Sequence, residues 1–294
     1  MINPLVSVLM TSYNREQYIG DAIKSVLNST YDNFELLIID DRSSDRTVEI
    51  ARKFEQYDSR IKVFQNANNL GQFRNRNYAA SLAKGKYLKY VDSDDLIYPT
   101  GLQVLVSMME QFPEAQYGLC SLIQDDLRVY PFQLKPKEAF EYHYNYKSIF
   151  HKAPLSSILN RSFFLTIGGF EVEAVCGDYA FWLKIASKSP VVLMPDGIVW
   201  YREHTSGEME KARQSPIIGF EYLKAEEMYI KKNDLISLEQ KNKILAQNKK
   251  RQYAYLLRLL KQGNLKSAFA IYKLIKTQGQ DYFAGSKMIE FPNK

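Results

Sequence analysis

The sequence predicts an α/β fold: a mixed, mainly parallel sheet flanked by helices, with a C-terminal helical extension. Three observations carry this reading. Short apolar runs alternate with stretches of helical apolar spacing, the pattern of βαβ units. The runs Leu5 to Met10, Phe34 to Ile39 and Tyr87 to Val91 are largely apolar, as strands covered on both faces are. Each of them ends in a polar cluster, and in an open parallel sheet such ends share one rim, where ligands bind.

Leu5 to Met10 is the first strand and Thr11 to Arg15 a polar loop. Ala22 to Leu27 has helical spacing. Phe34 to Ile39 is the second strand and ends in Asp40 and Asp41. Ser43 or Ser44 is the expected N-cap of a helix carrying Val48, Ile50, Ala51 and Phe54. Ile61 to Phe64 is a third strand, Asn68 to Gly71 a turn and Arg74 to Ala83 a helix. Tyr87 to Val91 is the fourth strand and runs into Asp92, Ser93, Asp94 and Asp95. Further helices are expected over Leu102 to Phe112, Arg161 to Ile167 and Tyr179 to Ala186. Further strands are expected over Tyr117 to Leu122, Ser156 to Leu159, Val191 to Met194 and Ile198 to Tyr201. Gln124 to Lys152 reads as an irregular, aromatic-rich surface region, with His143 and His151 at the surface or on the acceptor side. Beyond Pro216 the chain turns helical, and Gln252 to Leu260 and Lys266 to Ile275 read as an antiparallel pair around Gly263 and Asn264.

The chain has 294 residues, 46% of them hydrophobic and 24% charged, enough for one large or two small domains. No apolar run approaches the ~20 residues that cross a bilayer, and the first residues lack the basic-then-apolar pattern of a signal peptide. Cys120 and Cys176 are the only cysteines, which excludes a disulfide framework or a cysteine-based zinc site and fits a reducing cytoplasm. The net charge is +6, yet Lys241 to Lys276 holds ten Lys and Arg and no acid, so the basic character belongs to the C-terminal part.

Asp92, Asp94 and Asp95 repel one another unless a cation or strong donors hold them. Mg²⁺ or Mn²⁺ takes one or two such carboxylates and completes its shell with phosphate oxygens. The alternative is a plain turn, since Asp and Ser are common loop residues. A dinucleotide fold needs a glycine-rich turn after its first strand. Here no glycine precedes Gly20, so that reading is set aside. Tyr13 instead offers an aromatic face to a base.

The runs Val6 to Asn14 and Phe34 to Ser44, then Asn69 to Gly71 with Arg76 and Asn77, then Tyr90 to Asp95, then Gly168 to Phe170 ahead of Gly177 and Asp178 stand in a familiar order. Over about residues 4–205 the sequence resembles the inverting family 2 glycosyltransferases of the GT-A fold. The resemblance implies a nucleotide-binding set of Thr11, Tyr13, Asn14, Asp41, Arg76, Asp92 and Ser93, with Asp41 bonding the base. It implies a Mn²⁺ or Mg²⁺ site at Asp94, Asp92 and His204, and Asp178 as the catalytic base. Asp95 is read as support for the turn. The implied reaction moves a sugar from a nucleotide-diphosphate sugar, UDP by family frequency, to a glycan or lipid-linked acceptor in cell-surface glycan synthesis. A non-catalytic nucleotide-sugar or glycan-binding protein on the same scaffold is the alternative. The Gln-x-x-Arg-Trp signature and membrane spans of processive members are absent, which points to single additions. Where the family often has Glu-Asp, this chain has Gly177 and Asp178.

The expected division is a catalytic domain over residues 1–212, with a nucleotide-sugar half at about 1–98 and an acceptor half at about 99–212, then the extension over 213–294. The basic helices of that extension either pack on the catalytic domain or make peripheral contact with the inner face of a membrane. No nucleic-acid partner is expected, because nothing else in the chain resembles such a module.

Overall fold

The computed structural model describes residues 3–172, 176–204 and 216–276. Strands β1 (Val6–Ser12), β2 (Phe34–Asp40), β3 (Ile61–Gln65) and β4 (Tyr87–Tyr90) lie in the order β3-β2-β1-β4, all parallel. Their side chains alternate between two cores, as the two-residue period of a strand requires. Val6, Val8, Met10, Leu36 and Ile38 face one, while Leu9, Leu37, Ile39, Leu88 and Tyr90 face the other. Helices α1 (Ile19–Leu27) and α2 (Thr47–Tyr57) cover the first face through Ala22, Ile23, Val26 and Ala51. Helix α3 (Gln72–Leu82) covers the second through Ala79 and Ala80. Parallel neighbours need such crossovers, so each strand delivers its carboxyl end to the same rim.

The second half contains β5 (Leu96–Ile97), α4 (Gly101–Met109), β6 (Tyr117–Leu122), β7 (Phe132–Leu134) and α5 (Pro136–Asn145), followed by β8 (Ser157–Asn160), α6 (Arg161–Thr166), α7 (Gly177–Ala186), β9 (Val191–Pro195) and β10 (Val199–Trp200). It extends the sheet as β4-β8-β6-β9-β7, with β8 antiparallel to both its neighbours and β7 antiparallel to β9. β10 pairs antiparallel with β5, Trp200 opposite Leu96.

Two expectations need correction. The segment from Gln124 to Lys152 is not wholly irregular, because it contains β7 and α5. Pro136 opens α5, the Glu138 side chain accepts the Lys135 N–H at 2.9 Å, and Ala139, Phe140 and His143 bury one face. Helix α2 starts at Thr47, beyond Ser43 and Ser44, and Asp45 accepts the Thr47 N–H at 3.0 Å. The two serines instead bond Asp40 and Asn14.

The C-terminal part holds α8 (Pro216–Lys232), α9 (Leu238–Lys261) and α10 (Leu265–Lys276). α9 is longer than the spacing suggested, because the Ser237 side chain caps it by accepting the Gln240 N–H. Gly263, at φ +71°, turns the chain between α9 and α10. Ile230, Ile236 and Ile244 join the second core of the catalytic sheet, whereas Phe220, Leu259, Ala268 and Ile271 form a small core of their own.

Candidate active site

The Val91 N–H donates to the Leu9 carbonyl, which carries the β1–β4 pairing past the end of β4 and sets Asp92 beside Thr11. From there the three carboxylates diverge. Asp92 accepts two bonds from Arg76 Nη2, at 2.7 and 2.8 Å, and one from Thr11 Oγ1 at 3.3 Å. Asp94 Oδ2 meets Arg15 Nε at 2.7 Å and His204 Nε2 at 3.1 Å. Asp95 Oδ1 accepts the Arg202 N–H at 2.9 Å, and burial followed by the nearby Asp92 charge pushes its pKa up to about 8. Ser93 is buried between them. Each acid thus has its own donor, and the repulsion that remains falls on Asp95.

The β5–β10 pairing brings Arg202 and His204 to this rim from more than a hundred residues away. Arg202 Nε also donates to the Asp94 carbonyl, and its guanidinium lies over the rings of Tyr18 and Trp200. The His204 ring packs at 4.7 Å on Tyr18. Below the rim, Lys89 is fully buried and donates to the Leu155 and Ser157 carbonyls; burial draws its pKa down to about 8.

On the β1–β2 side Asp41 is buried. Its carboxylate accepts from Asn66 Nδ2 at 2.8 Å, the Leu70 N–H at 2.8 Å and the Gly71 N–H at 2.9 Å. It therefore braces the turn ahead of α3, with one of its roughly four acceptor positions left over. Tyr13 is half exposed, and its loop is fixed by Asn14, whose side chain accepts the Ser44 N–H at 2.9 Å. An aromatic face beside an ordered, polar loop suits a planar base.

Arg76 connects the two halves. It is almost fully buried; burial alone would lower its pKa, but the charge of Asp92 more than offsets this, with a further contribution from Asp178. Its Nε and Nη1 are buried with no hydrogen-bond partner among the described residues, which is costly unless an acceptor arrives. The next residue, Asn77, latches the two motifs together. Its amide donates to the Phe170 carbonyl at 2.8 Å and accepts the Phe170 N–H at 2.9 Å. Gly169, at φ +64°, passes so close that a Cβ would stand 2.4 Å from Asn77 Oδ1. Gly169→Ala is expected to cost about 1–3 kcal/mol through clash and backbone strain, read as a lower urea midpoint. An unchanged midpoint would remove the latch.

Asp178 lies in the first turn of α7, half-buried, with Oδ1 accepting the Tyr179 N–H at 2.8 Å. Burial raises its pKa above the ordinary value of 3.8. The missing glutamate has a steric reason. A Cβ on Gly177 would come within 2.5 Å of the Phe73 ring, so this helix start has room for glycine. Helix α8 covers the far side. The Tyr179 hydroxyl donates to the buried Glu226 at 3.0 Å, Tyr229 donates to Glu171 at 2.7 Å, and Tyr222 neighbours Asp178. His143 is buried rather than at the surface. Its Nδ1 accepts the Ile149 and Phe150 N–H groups, and burial draws its pKa down to about 3. His151 is exposed and stacks 4.2 Å from Tyr179.

Among the described residues no three His, Cys, Asp or Glu side chains converge to hold a metal. Asp94 Oδ2 and His204 Nε2 nevertheless stand 3.1 Å apart, close to the ~3 Å between neighbouring ligands of an octahedral Mg²⁺. One carboxylate and one imidazole, completed by phosphate oxygens, fit such a cation or Mn²⁺. Arg15 shares the same oxygen, and Asp92 is turned toward Arg76.

Sequence reasoning gave no role to Arg15, Arg202, Lys89, Tyr222 or Glu226. The only signal for Arg15 was a cation in the loop that faces an acidic cluster. Nothing local pointed to the other four.

The model of the family described as "Glycosyl transferase family 2" matches residues 7–168, more than half of the chain. An Escherichia coli protein named UDP-Glc:alpha-D-GlcNAc-diphosphoundecaprenol beta-1,3-glucosyltransferase WfgD is 44% identical over 105 residues, 36% of this chain and 41% of that one. The chain spans about a third to a half of the length of the curated relatives it matches. The fold matches S. aureus TarS 1-349 in complex with UDP-GlcNAc with a TM-score of 0.66 and 23% identity, covering 85% of this chain and 72% of that one. It matches mannosyltransferase PcManGT from Pyrobaculum calidifontis, in complex with GDP-Man and Mn²⁺, with a TM-score of 0.62 and 17% identity, covering 96% and 77%.

Proposed function

Because the chain belongs to glycosyl transferase family 2, we propose that it moves a sugar from a nucleotide-diphosphate sugar to an acceptor hydroxyl, with inversion, in cell-surface glycan synthesis. The observation that carries this is Arg76. One buried guanidinium is held by Asp92, interacts with Asp178, and keeps two nitrogens, Nε and Nη1, without a hydrogen-bond partner among the described residues. Their N–H groups suit the oxygens of a donor diphosphate. On this reading Thr11, Tyr13 and Asn14 would face the base, Asp41 would brace its floor, and Asp92, with Ser93 buried beside it, would face the ribose. Asp94 and His204 are the groups that would hold Mn²⁺ or Mg²⁺. A divalent cation bound there neutralises charge on the departing diphosphate.

Asp178 takes the proton of the acceptor hydroxyl as the new C–O bond forms, and the diphosphate leaves with the electrons of the old bond. One displacement inverts the anomeric carbon, and no covalent sugar–enzyme intermediate is required. Donor relatives with UDP-GlcNAc and UDP-Glc in their names favour UDP, and WfgD favours a lipid-linked acceptor. The free cysteines Cys120 and Cys176 fit work in a reducing cytoplasm.

A nucleotide-sugar panel with Mn²⁺ or Mg²⁺, read by thermal shift, tests the reading. A donor at a hundred times its Kd should add about 2.7 kcal/mol of stability, several degrees in Tm, and only with the divalent cation. If no nucleotide sugar raises Tm with any divalent cation, the donor site is not here. An equal rise in chelator would strip Asp94 and His204 of the metal role and leave the positive charge to Arg15 and Arg76.

A further inference from the structure

We propose that helices α9 and α10 form a docking surface for an anionic lipid bilayer. Each helix carries an exposed apolar row at i, i+4, i+7 spacing. On α9 the row is Tyr253, Leu257 and Leu260; on α10 it is Leu265, Phe269 and Tyr272. These six side chains are between 45 and 66% exposed. The helices already bury Leu259, Ala268 and Ile271 around Phe220, apart from these rows.

The rows are set in positive charge. Lys241 to Lys276 contains ten basic residues and no acid. On the α9 helical wheel Lys249 falls on one flank of the row, and Lys250 and Lys261 on the other. On α10 the Lys273 ammonium lies 4.7 Å from the Phe269 ring centre, so charge stands at the edge of the apolar row. Apolar side chains that enter the acyl boundary, with Lys and Arg left at the headgroups, are what an interfacial helix presents to anionic lipid. No helix among the described residues is long and apolar enough to cross a membrane, so the contact is peripheral. Charge alone would also suit a nucleic acid, but six exposed apolar side chains would then stay in water; lipid covers both features.

The test is flotation of the full chain with vesicles of phosphatidylcholine containing phosphatidylglycerol, against vesicles of phosphatidylcholine alone. The protein should float with the anionic vesicles only and be released by high salt. Leu257→Glu with Phe269→Glu should weaken binding roughly tenfold or more, since each loses its apolar insertion. Donor-induced thermal shift checks that this variant is folded. If it does not fold, the lipid and salt comparison on the wild-type chain still decides. Failure to float with anionic vesicles at low salt overturns the proposal, as does equal flotation with neutral ones. A wild-type dimer that does not float, and that Leu257→Glu converts to monomer, would give the face to a second copy of the chain. Tighter binding to a duplex oligonucleotide than to vesicles would give it to nucleic acid. Vesicle binding needs no donor, so its failure and that of the transfer reaction are read separately.

Discussion

Asp178→Asn is expected to lower turnover by roughly 10²- to 10⁴-fold, the usual contribution of a general base, and to leave donor binding nearly unchanged. The amide keeps the shape of the side chain and can still accept the Tyr179 N–H through its oxygen. It cannot take the acceptor proton. On the proposed reading donor affinity rests on Arg76, the Tyr13 loop and the acidic rim, none of which is covalently altered. The pH profile of the wild-type enzyme carries the same signature. Burial disfavours the carboxylate form of Asp178 and raises its pKa, and the base works only when deprotonated. Activity is therefore present above that raised pKa and is lost as pH falls through it, starting above the ordinary carboxylate range. The measurements are single-turnover rates across pH and donor titration of the variant by calorimetry. A variant that transfers sugar at the native rate would remove Asp178 from the chemistry.

Arg76→Met is the second large effect, and it acts on stability as well as on binding. The side chains of Arg76 and Asp92 are 5% and 18% exposed, with Nη2 2.7 Å from the nearer oxygen. Removing one member of a buried pair leaves the other charge without compensation, at a cost of about 3–5 kcal/mol. Methionine fills much of the volume, so the loss reflects charge more than cavity. Urea unfolding should show it as a lower midpoint with an unchanged slope. The double variant with Asp92→Asn should recover part of the loss, because the stranded carboxylate is then gone. The same substitution removes Nε and Nη1, the two nitrogens that the donor diphosphate would use, so nucleotide-sugar binding should weaken in both variants. A single variant of native stability would mean that Asp92 finds other donors, with Thr11 the nearest at hand.

The first half of the fold, β1 to β4, was legible because its strands are covered on both faces. Such strands appear in sequence as unbroken apolar runs, and a polar residue at the end of each marks the rim. The second half was harder. Helix α5 hides among tyrosines, and its apolar contacts are few; Pro136 and Glu138 were its only local signals. His143 could not be placed from its neighbours, because burial of an imidazole depends on the two backbone N–H groups that reach it from residues 149 and 150. In the site, the order of the acids was readable but their partners were not. Arg15 meets Asp94 across 79 positions and Arg202 meets Asp95 across 107, distances that only the sheet topology bridges. The same limit explains Asp41, whose three internal donors come from the turn before α3.

The bonds from α8 to Glu171 and Tyr179 bear on how this protein can be recombined. They clasp the chain on both sides of the loop that leads to Asp178, from a helix that begins after residue 215. An exchange of the tail at that junction therefore puts both bonds at stake. In a chimera that takes α8 from another parent, the Tyr179–Glu226 and Tyr229–Glu171 bonds form only where that parent supplies both partners, Glu226 and Tyr229. The sheet and its first C-terminal helix are therefore tied by side-chain bonds and should be exchanged as one piece.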